Sequence, residues 1–222
     1  MSARMARTAV LLAASALGMF ACAPAAPPAA APTTAASSGG DPFDGSSILP
    51  EPSIAVTEAM GSPHLGDVAP DFDLPDQDGK HVTLASTRGS VVVLAFVAAF
   101  CPFSKAEQPY LKKLASEYAG KNVKVIAIDI KEPEADYREY LGRMPMGIPV
   151  LRDEGGAVAL RFTPPGAQPE LKDRTMALVT SNLVIDAKGK IRFFTMVDTV
   201  HFDPKLVHLH RTLDRVLAET SS

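Results

Sequence analysis

Cysteine is scarce in this chain: Cys22 and Cys101 are the only two in 222 residues. So few exclude a disulfide framework as the source of stability. A surplus of either charge is missing too, since 22 lysines and arginines face 25 aspartates and glutamates, for a net charge of -3. That balance supplies no basic surface, and no nucleic-acid partner is expected. Internal repeats are absent, and the N-terminal apolar run, Ala9 to Phe20, is too short to span a bilayer as a mature helix. What is present is a hydrophobic content of 46%, enough at this length for one domain with a real core.

One stretch organises that core. Val91 to Phe100 is an unbroken apolar run rich in β-branched residues, which reads as a strand buried on both faces. It stops at Cys101, followed by Pro102 and then a helical pattern. Cys101 is therefore expected where a central strand hands over to a helix N-terminus. Unpaired backbone N–H groups and the positive end of the helix dipole gather there. Both favour the thiolate, the reactive form of cysteine. The bland alternative is an inert core filler, because free cysteine is among the most buried residue types.

The N-terminal segment lies outside this core. Arg4 and Arg7 form a positive n-region ahead of the apolar Ala9 to Phe20, the pattern of a signal peptide over residues 1–22. Met19-Phe20-Ala21-Cys22 resembles the lipobox of bacterial lipoproteins, in which the cysteine is diacylated and becomes the mature N-terminus. Met19 and Phe20 depart from the usual Leu-small pair, so plain secretory cleavage near Ala21 is the alternative. The first reading gives an exported lipoprotein, membrane-anchored through Cys22 and facing the periplasm or cell exterior. The second gives a soluble secreted or periplasmic form. Residues 23–63, rich in Ala, Pro, Ser, Thr and Gly, bury too little to offset their ordering entropy and read as a disordered tether. The folded domain is then 64–222.

Within it, Asp71 to Leu74 and His81 to Leu84 read as a hairpin about the Asp78-Gly79 turn. Lys105 to Tyr118 is an amphipathic helix ended by Gly120, Val123 to Ile130 a second buried strand, and Pro133 to Leu141 a helix with proline in its first turn. Ile148 to Leu151 reads as a short extended piece and Ala157 to Phe162 as one or two helical turns. After a loop through Lys172, Met176 to Ile185 and Ile191 to Val197 form a hairpin about Asp186-Ala187-Lys188-Gly189. A last helix starts at Asp203-Pro204, with Leu206, Leu209, Leu213, Val216 and Leu217 on its apolar face. Strand and helix alternate around a parallel core, which argues an α/β fold with antiparallel strands added to the same sheet.

Three segments carry a family resemblance. Gly66-Asp67-Val68-Ala69-Pro70-Asp71-Phe72-Asp73-Leu74, with Asp78 to Leu84, resembles the opening of the redoxin (AhpC/TSA-like) and TlpA-like families. Phe100-Cys101-Pro102-Phe103-Ser104-Lys105-Ala106-Glu107-Gln108-Pro109 resembles their Trp-Cys-Pro-x-Cys-Arg-x-Glu-x-Pro segment, and Leu183 to Ile191 resembles their late hairpin. The resemblance, from about residue 66 to 219, implies a thioredoxin-like fold: a central mixed sheet flanked by helices, with an N-terminal β-hairpin. It also implies a thiol oxidoreductase whose substrate meets Phe100, Pro102, Phe103, Val179 and Thr180 around Cys101, with no cofactor and no metal.

The departures bear on chemistry. Ser104 stands where the family has its second cysteine, so Cys101 cannot close an internal disulfide. Thr180 occupies the place of the thioredoxin-type cis-proline. Peroxiredoxins carry Thr or Ser three residues before their reactive cysteine, where this chain has Ala98, and their arginine near the Thr180 position has only Arg174 close by in sequence. Three readings follow. Cys101 attacks a protein or small-molecule disulfide and an external thiol resets it; or Cys101 reduces a hydroperoxide as a one-cysteine peroxidase; or the fold survives as a redox-inactive binding module. In the first, Ser104 either donates a hydrogen bond to the Cys101 sulfur or is simply a first-turn residue. Phe100 and Phe103 either rim the thiol or pack the core. His201, His208 and His210 cluster late, but His208 and His210 are two apart on the last helix and point to different faces, so solvated or hydrogen-bonded histidines are expected rather than metal ligands.

Overall fold

The computed structural model describes residues 61–143, 145–173, 180–197, 203 and 205–220. The signal peptide with Cys22, nearly all of the tether, Arg174, Val179 and His201 lie outside them.

The run of β-branched residues becomes β3 (Val91–Val97), and every one of its side chains is buried. Their alternation divides the core. Val91, Val93, Ala95 and Val97 face a layer made with the helices α1 (Pro102–Glu117), α2 (Glu134–Arg143) and α4 (Val207–Thr220). Val92, Leu94 and Phe96 face the other layer, with α3 (Ala157–Phe162) and the N-terminal residues Phe72 and Leu84. A period of two on a doubly covered strand leaves no polar position, which explains the unbroken apolar sequence.

Five strands form the main sheet in the order β5-β4-β3-β6-β7. β3 runs parallel to β4 (Val123–Ile130), which runs parallel to β5 (Val150–Asp153). On its other side β3 is antiparallel to β6 (Ser181–Ile185), itself antiparallel to β7 (Ile191–Met196). A separate antiparallel pair, β1 (Asp73–Pro75) and β2 (His81–Thr83), makes the N-terminal hairpin. This is the thioredoxin-like mixed sheet with flanking helices.

Both hairpins turn on the same device. Asp76 Oδ1 accepts the N–H groups of Asp78 and Lys80, and Asp186 Oδ1 accepts those of Lys188 and Lys190. Gly79 and Gly189 then take φ of 79° and 85°, a left-handed conformation glycine adopts without a Cβ penalty.

Several expected elements shift, four of them for reasons the structure makes plain. β3 ends at Val97 rather than Phe100, because Ala98 to Cys101 closes a turn through Cys101 N–H to Ala98 O at 3.0 Å. α1 begins at Pro102, three residues early, since proline's missing N–H costs nothing in a first turn. The extended piece near Ile148 is a true edge strand, β5, held by parallel pairing to Ala127 through Ile130. α4 begins at Val207, because the Asp203 carboxylate accepts the N–H groups of Val207 and His208 and sets the helix start there. The last hairpin's first strand is described from Ser181, with Met176 to Val179 outside the described residues.

Phe96 is 1% exposed and stacks on Phe162 with centroids 5.1 Å apart, joining the central strand to α3. Phe96→Ala should therefore cost about 3–5 kcal/mol of unfolding free energy, read by urea denaturation, with the far-ultraviolet spectrum of the folded state retained.

Candidate active site

The strand-to-helix corner makes Cys101 the N-cap of α1, with φ −82° and ψ 117°. Its carbonyl accepts the Lys105 N–H at 3.2 Å, and its half-buried thiol stands at the start of the helix. Cys101 is the one free cysteine among the described residues.

Thr180, just ahead of β6, comes to this thiol from across the sheet: its Oγ1 lies 3.8 Å from the Cys101 sulfur. The same oxygen lies 3.1 Å from the Val197 carbonyl, to which it donates. The hydroxyl can thus accept from a thiol while donating to Val197, or turn its proton toward a sulfur that gains negative charge. Ser104 is placed differently. It is 1% exposed, and its Oγ accepts the Ala98 N–H at 3.3 Å, which supports the turn from below. Phe100 is 60% exposed at the rim, Pro102 is exposed, and Phe103 is half-buried. Beside Phe100 opens a cleft of about 530 Å³, bounded by Lys105, Lys131, Pro133, Tyr140 and Arg143.

Two sets of buried acids flank the loop, and neither figured among the sequence-predicted site residues. Glu107, one turn beyond Ser104 on the inward face of α1, accepts both its hydrogen bonds from the Asn182 amide, at 3.1 and 3.0 Å. Burial pushes its carboxyl up to about 8; the Asn182 bonds oppose this, and the charges of Asp203 and Cys101 add to it. Near neutral pH it is a neutral acid beneath the thiol. On the other side, Glu132 Oε1 accepts the N–H groups of Ala99 at 2.5 Å and Phe100 at 3.3 Å, with Asp129 of β4 buried behind it. The signal was present in both cases: a glutamate on the apolar stripe of α1 and an aspartate inside the apolar β4.

The histidines are parted as their spacing requires. His208 is buried, whereas His210 packs on the Tyr118 ring and lies 3.7 Å from Glu117.

A corner that presents one thiol at a helix N-terminus, on this sheet order, defines the thioredoxin-like class. The chain belongs to the AhpC/TSA family, whose pattern matches residues 65–194. Thiol-disulfide oxidoreductase ResA of Halalkalibacterium halodurans is 32% identical over 90 residues, 40% of this chain and 51% of that protein. The chain spans about half to two thirds of the length of the curated relatives it matches. Among solved structures, a protein assigned as thiol:disulfide interchange protein DsbE from Chlorobium tepidum is 27% identical with a TM-score of 0.57, covering 70% of this chain and 99% of that one. Peroxidoxin BcpB from Mycobacterium tuberculosis is also 27% identical, with a TM-score of 0.56 and coverages of 71% and 98%.

The state of Glu107 has a thermodynamic consequence. Its native carboxyl holds a proton up to about pH 8, whereas an unfolded glutamate releases it near 4.5. Between these values the native state binds more protons, so stability falls as pH rises from about 5 to 8. Glu107→Gln, neutral at every pH, should flatten part of that fall when urea unfolding is compared at the two ends.

Proposed function

We propose that this protein is a membrane-tethered, extracytoplasmic thiol–disulfide oxidoreductase that works through Cys101 alone. The observation that carries the reading is a single half-buried thiol at the N-cap of α1, with the Thr180 hydroxyl 3.8 Å from its sulfur. The relatives named as thiol-disulfide oxidoreductases support it.

The chemistry balances without a cofactor. The Cys101 thiolate attacks one sulfur of a substrate R–S–S–R′, forming Cys101–S–S–R and expelling R′–S⁻. With serine at 104, the release step uses a thiol from outside. A second thiolate, R″–S⁻, attacks the R sulfur, forms R–S–S–R″ and returns the Cys101 thiolate. When R″ belongs to the same polypeptide the outcome is isomerisation; when it is a small thiol the outcome is exchange. The α1 N-terminus and the Thr180 hydroxyl both stabilise charge that develops on the attacking sulfur. Phe100, exposed beside the cleft, supplies an apolar contact for a polypeptide disulfide, with Pro102, Phe103 and Thr180 around the thiol. Ser104 supports the turn rather than the sulfur.

Lipid on Cys22 would leave Cys101 as the sole thiol. The Ala-, Pro- and Ser-rich composition of residues 23–63 suits a tether between a lipid anchor and the domain. The unlipidated alternative leaves the same domain soluble outside the cytoplasm.

A second reading, the one-cysteine peroxidase, draws on the likeness to peroxidoxin BcpB. There Cys101 attacks the O–O bond, becomes a sulfenate and releases an alcohol or water, and an external thiol reduces it.

Purified protein should restore activity to a scrambled disulfide-bonded substrate in the presence of a small thiol, and Cys101→Ser should abolish this. Thr180→Val should slow thiol reaction about tenfold, the loss of one hydrogen bond to a charged group, while Ser104→Ala stays within about twofold. Rapid sulfenate formation with no gain in disulfide exchange would favour the peroxidase. Identical behaviour of wild type and Cys101→Ser in both assays would leave only a binding module.

A further inference from the structure

The buried carboxyl pair behind the redox loop is not used by the exchange chemistry. Asp129 is fully buried near the end of β4, paired in register with Val97 on one side and Arg152 on the other. As two carboxylates, Asp129 and Glu132 would be poorly satisfied. Both Asp129 oxygens and Glu132 Oε2 are buried with no donor, and only Glu132 Oε1 is engaged, by the Ala99 and Phe100 N–H groups. One proton resolves this. A proton on Asp129 would let it donate to Glu132 and would leave a single charge, on a carboxylate that also receives two backbone donors.

We propose that Asp129 and Glu132 share a single proton and act together as a positioning pair that clamps the Ala98–Cys101 turn and presents the Cys101 thiol, releasing the clamp when that proton is lost. The proposal rests on Cys101 being the reactive group, but not on which substrate it attacks.

The surroundings favour one proton. Burial pushes the Asp129 carboxyl up to about 8, Glu132 adds to the rise and Arg152 opposes it; burial raises Glu132 as well, against the bonds from Ala99 and Phe100. From β5, Arg152 is the opposing cation, but its guanidinium is drawn outward to Glu154 at 3.2 Å and Glu134 at 3.8 Å. From α2, Asp136 adds negative charge near Glu132, and the phenols of Tyr137 and Tyr140 stay neutral to high pH, pushed up to about 12 by burial. Tyr137 donates its O–H to the Val150 carbonyl. Lys105 of α1 and Lys131 line the solvent side of the cleft. A second negative charge therefore enters a buried space where Arg152, the cation that opposes it, is also drawn to Glu134 and Glu154. Repulsion pushes Glu132 off the Ala99 and Phe100 donors, and the turn loses the bonds that fix it.

The test is the pH profile of Cys101 reaction with iodoacetamide, a neutral reagent, in full-length protein, with Cys101 modification quantified by peptide mass. The wild-type rate should rise with pH and then fall about threefold or more above roughly pH 8, as the pair loses its proton. In Asp129→Asn the amide donates the same hydrogen bond without a dissociable proton, so the high-pH fall should vanish while the neutral-pH rate is kept. Glu132→Gln keeps an acceptor for the two amides and should also remove the fall. Glu132→Ala, if folded by circular dichroism, should lower the rate about tenfold at every pH. A wild-type profile with no fall, or a fall that persists in Asp129→Asn and disappears in Glu107→Gln, would overturn the proposal. Failure of the disulfide-exchange assay would leave this result unaffected, since alkylation needs no disulfide substrate.

Discussion

Burial of β3 on both faces is the constraint on which the rest depends. A strand with helices on one side and an α3-hairpin layer on the other cannot continue into solvent as a strand; it has to turn where its cover ends. The turn falls at Ala98 to Cys101, and the chain re-enters as α1, whose inward face returns to the layer built on Val93, Ala95 and Val97. The position of the thiol is thus a by-product of core packing. Cys101 sits at a helix N-terminus because the buried strand stops one turn earlier. Thr180 reaches the same place because β6 pairs antiparallel with β3 through Phe96 and Ser181.

Around this corner the protein keeps an unusual amount of buried acid. Glu107 approaches from α1 below the thiol, and Asp129 with Glu132 approaches from the end of β4. A buried carboxylate next to a reactive sulfur would resist charge on that sulfur, and burial eases the conflict by raising all three carboxyls, Glu107 and Asp129 to about 8. The site therefore combines a thiol at the α1 N-terminus, with the Thr180 hydroxyl beside it, and acids whose charged forms burial disfavours.

Much of the fold was legible in the sequence because each main signal was physical. The unbroken run from Val91 read as a doubly buried strand, Asp78-Gly79 and Asp186-Ala187-Lys188-Gly189 marked the two hairpins, and an amphipathic pattern marked α1. The edge strand β5 was harder, since Val150 to Asp153 is short and its identity comes from pairing to β4, a non-local contact. The thiol and its place at a helix start were also readable, as was the loss of a second cysteine at Ser104. The partners around the thiol were not. That Thr180 meets the sulfur depends on strand register, and that Glu132 caps the Ala99 and Phe100 amides depends on a contact between residues more than thirty positions apart. Asp129 and Glu107 did carry a local signal, a charge inside an apolar pattern, which becomes a site only once the fold brings both to one corner.

The central claim is that one thiol carries the chemistry. The most direct measurement is to incubate the reduced protein with a peptide disulfide, quench with acid and map the adduct by mass spectrometry. The account predicts a single mixed disulfide at Cys101, formed in step with release of one peptide thiol and reversed by added small thiol. A folded protein whose Cys101 stays unmodified at every disulfide concentration would contradict it.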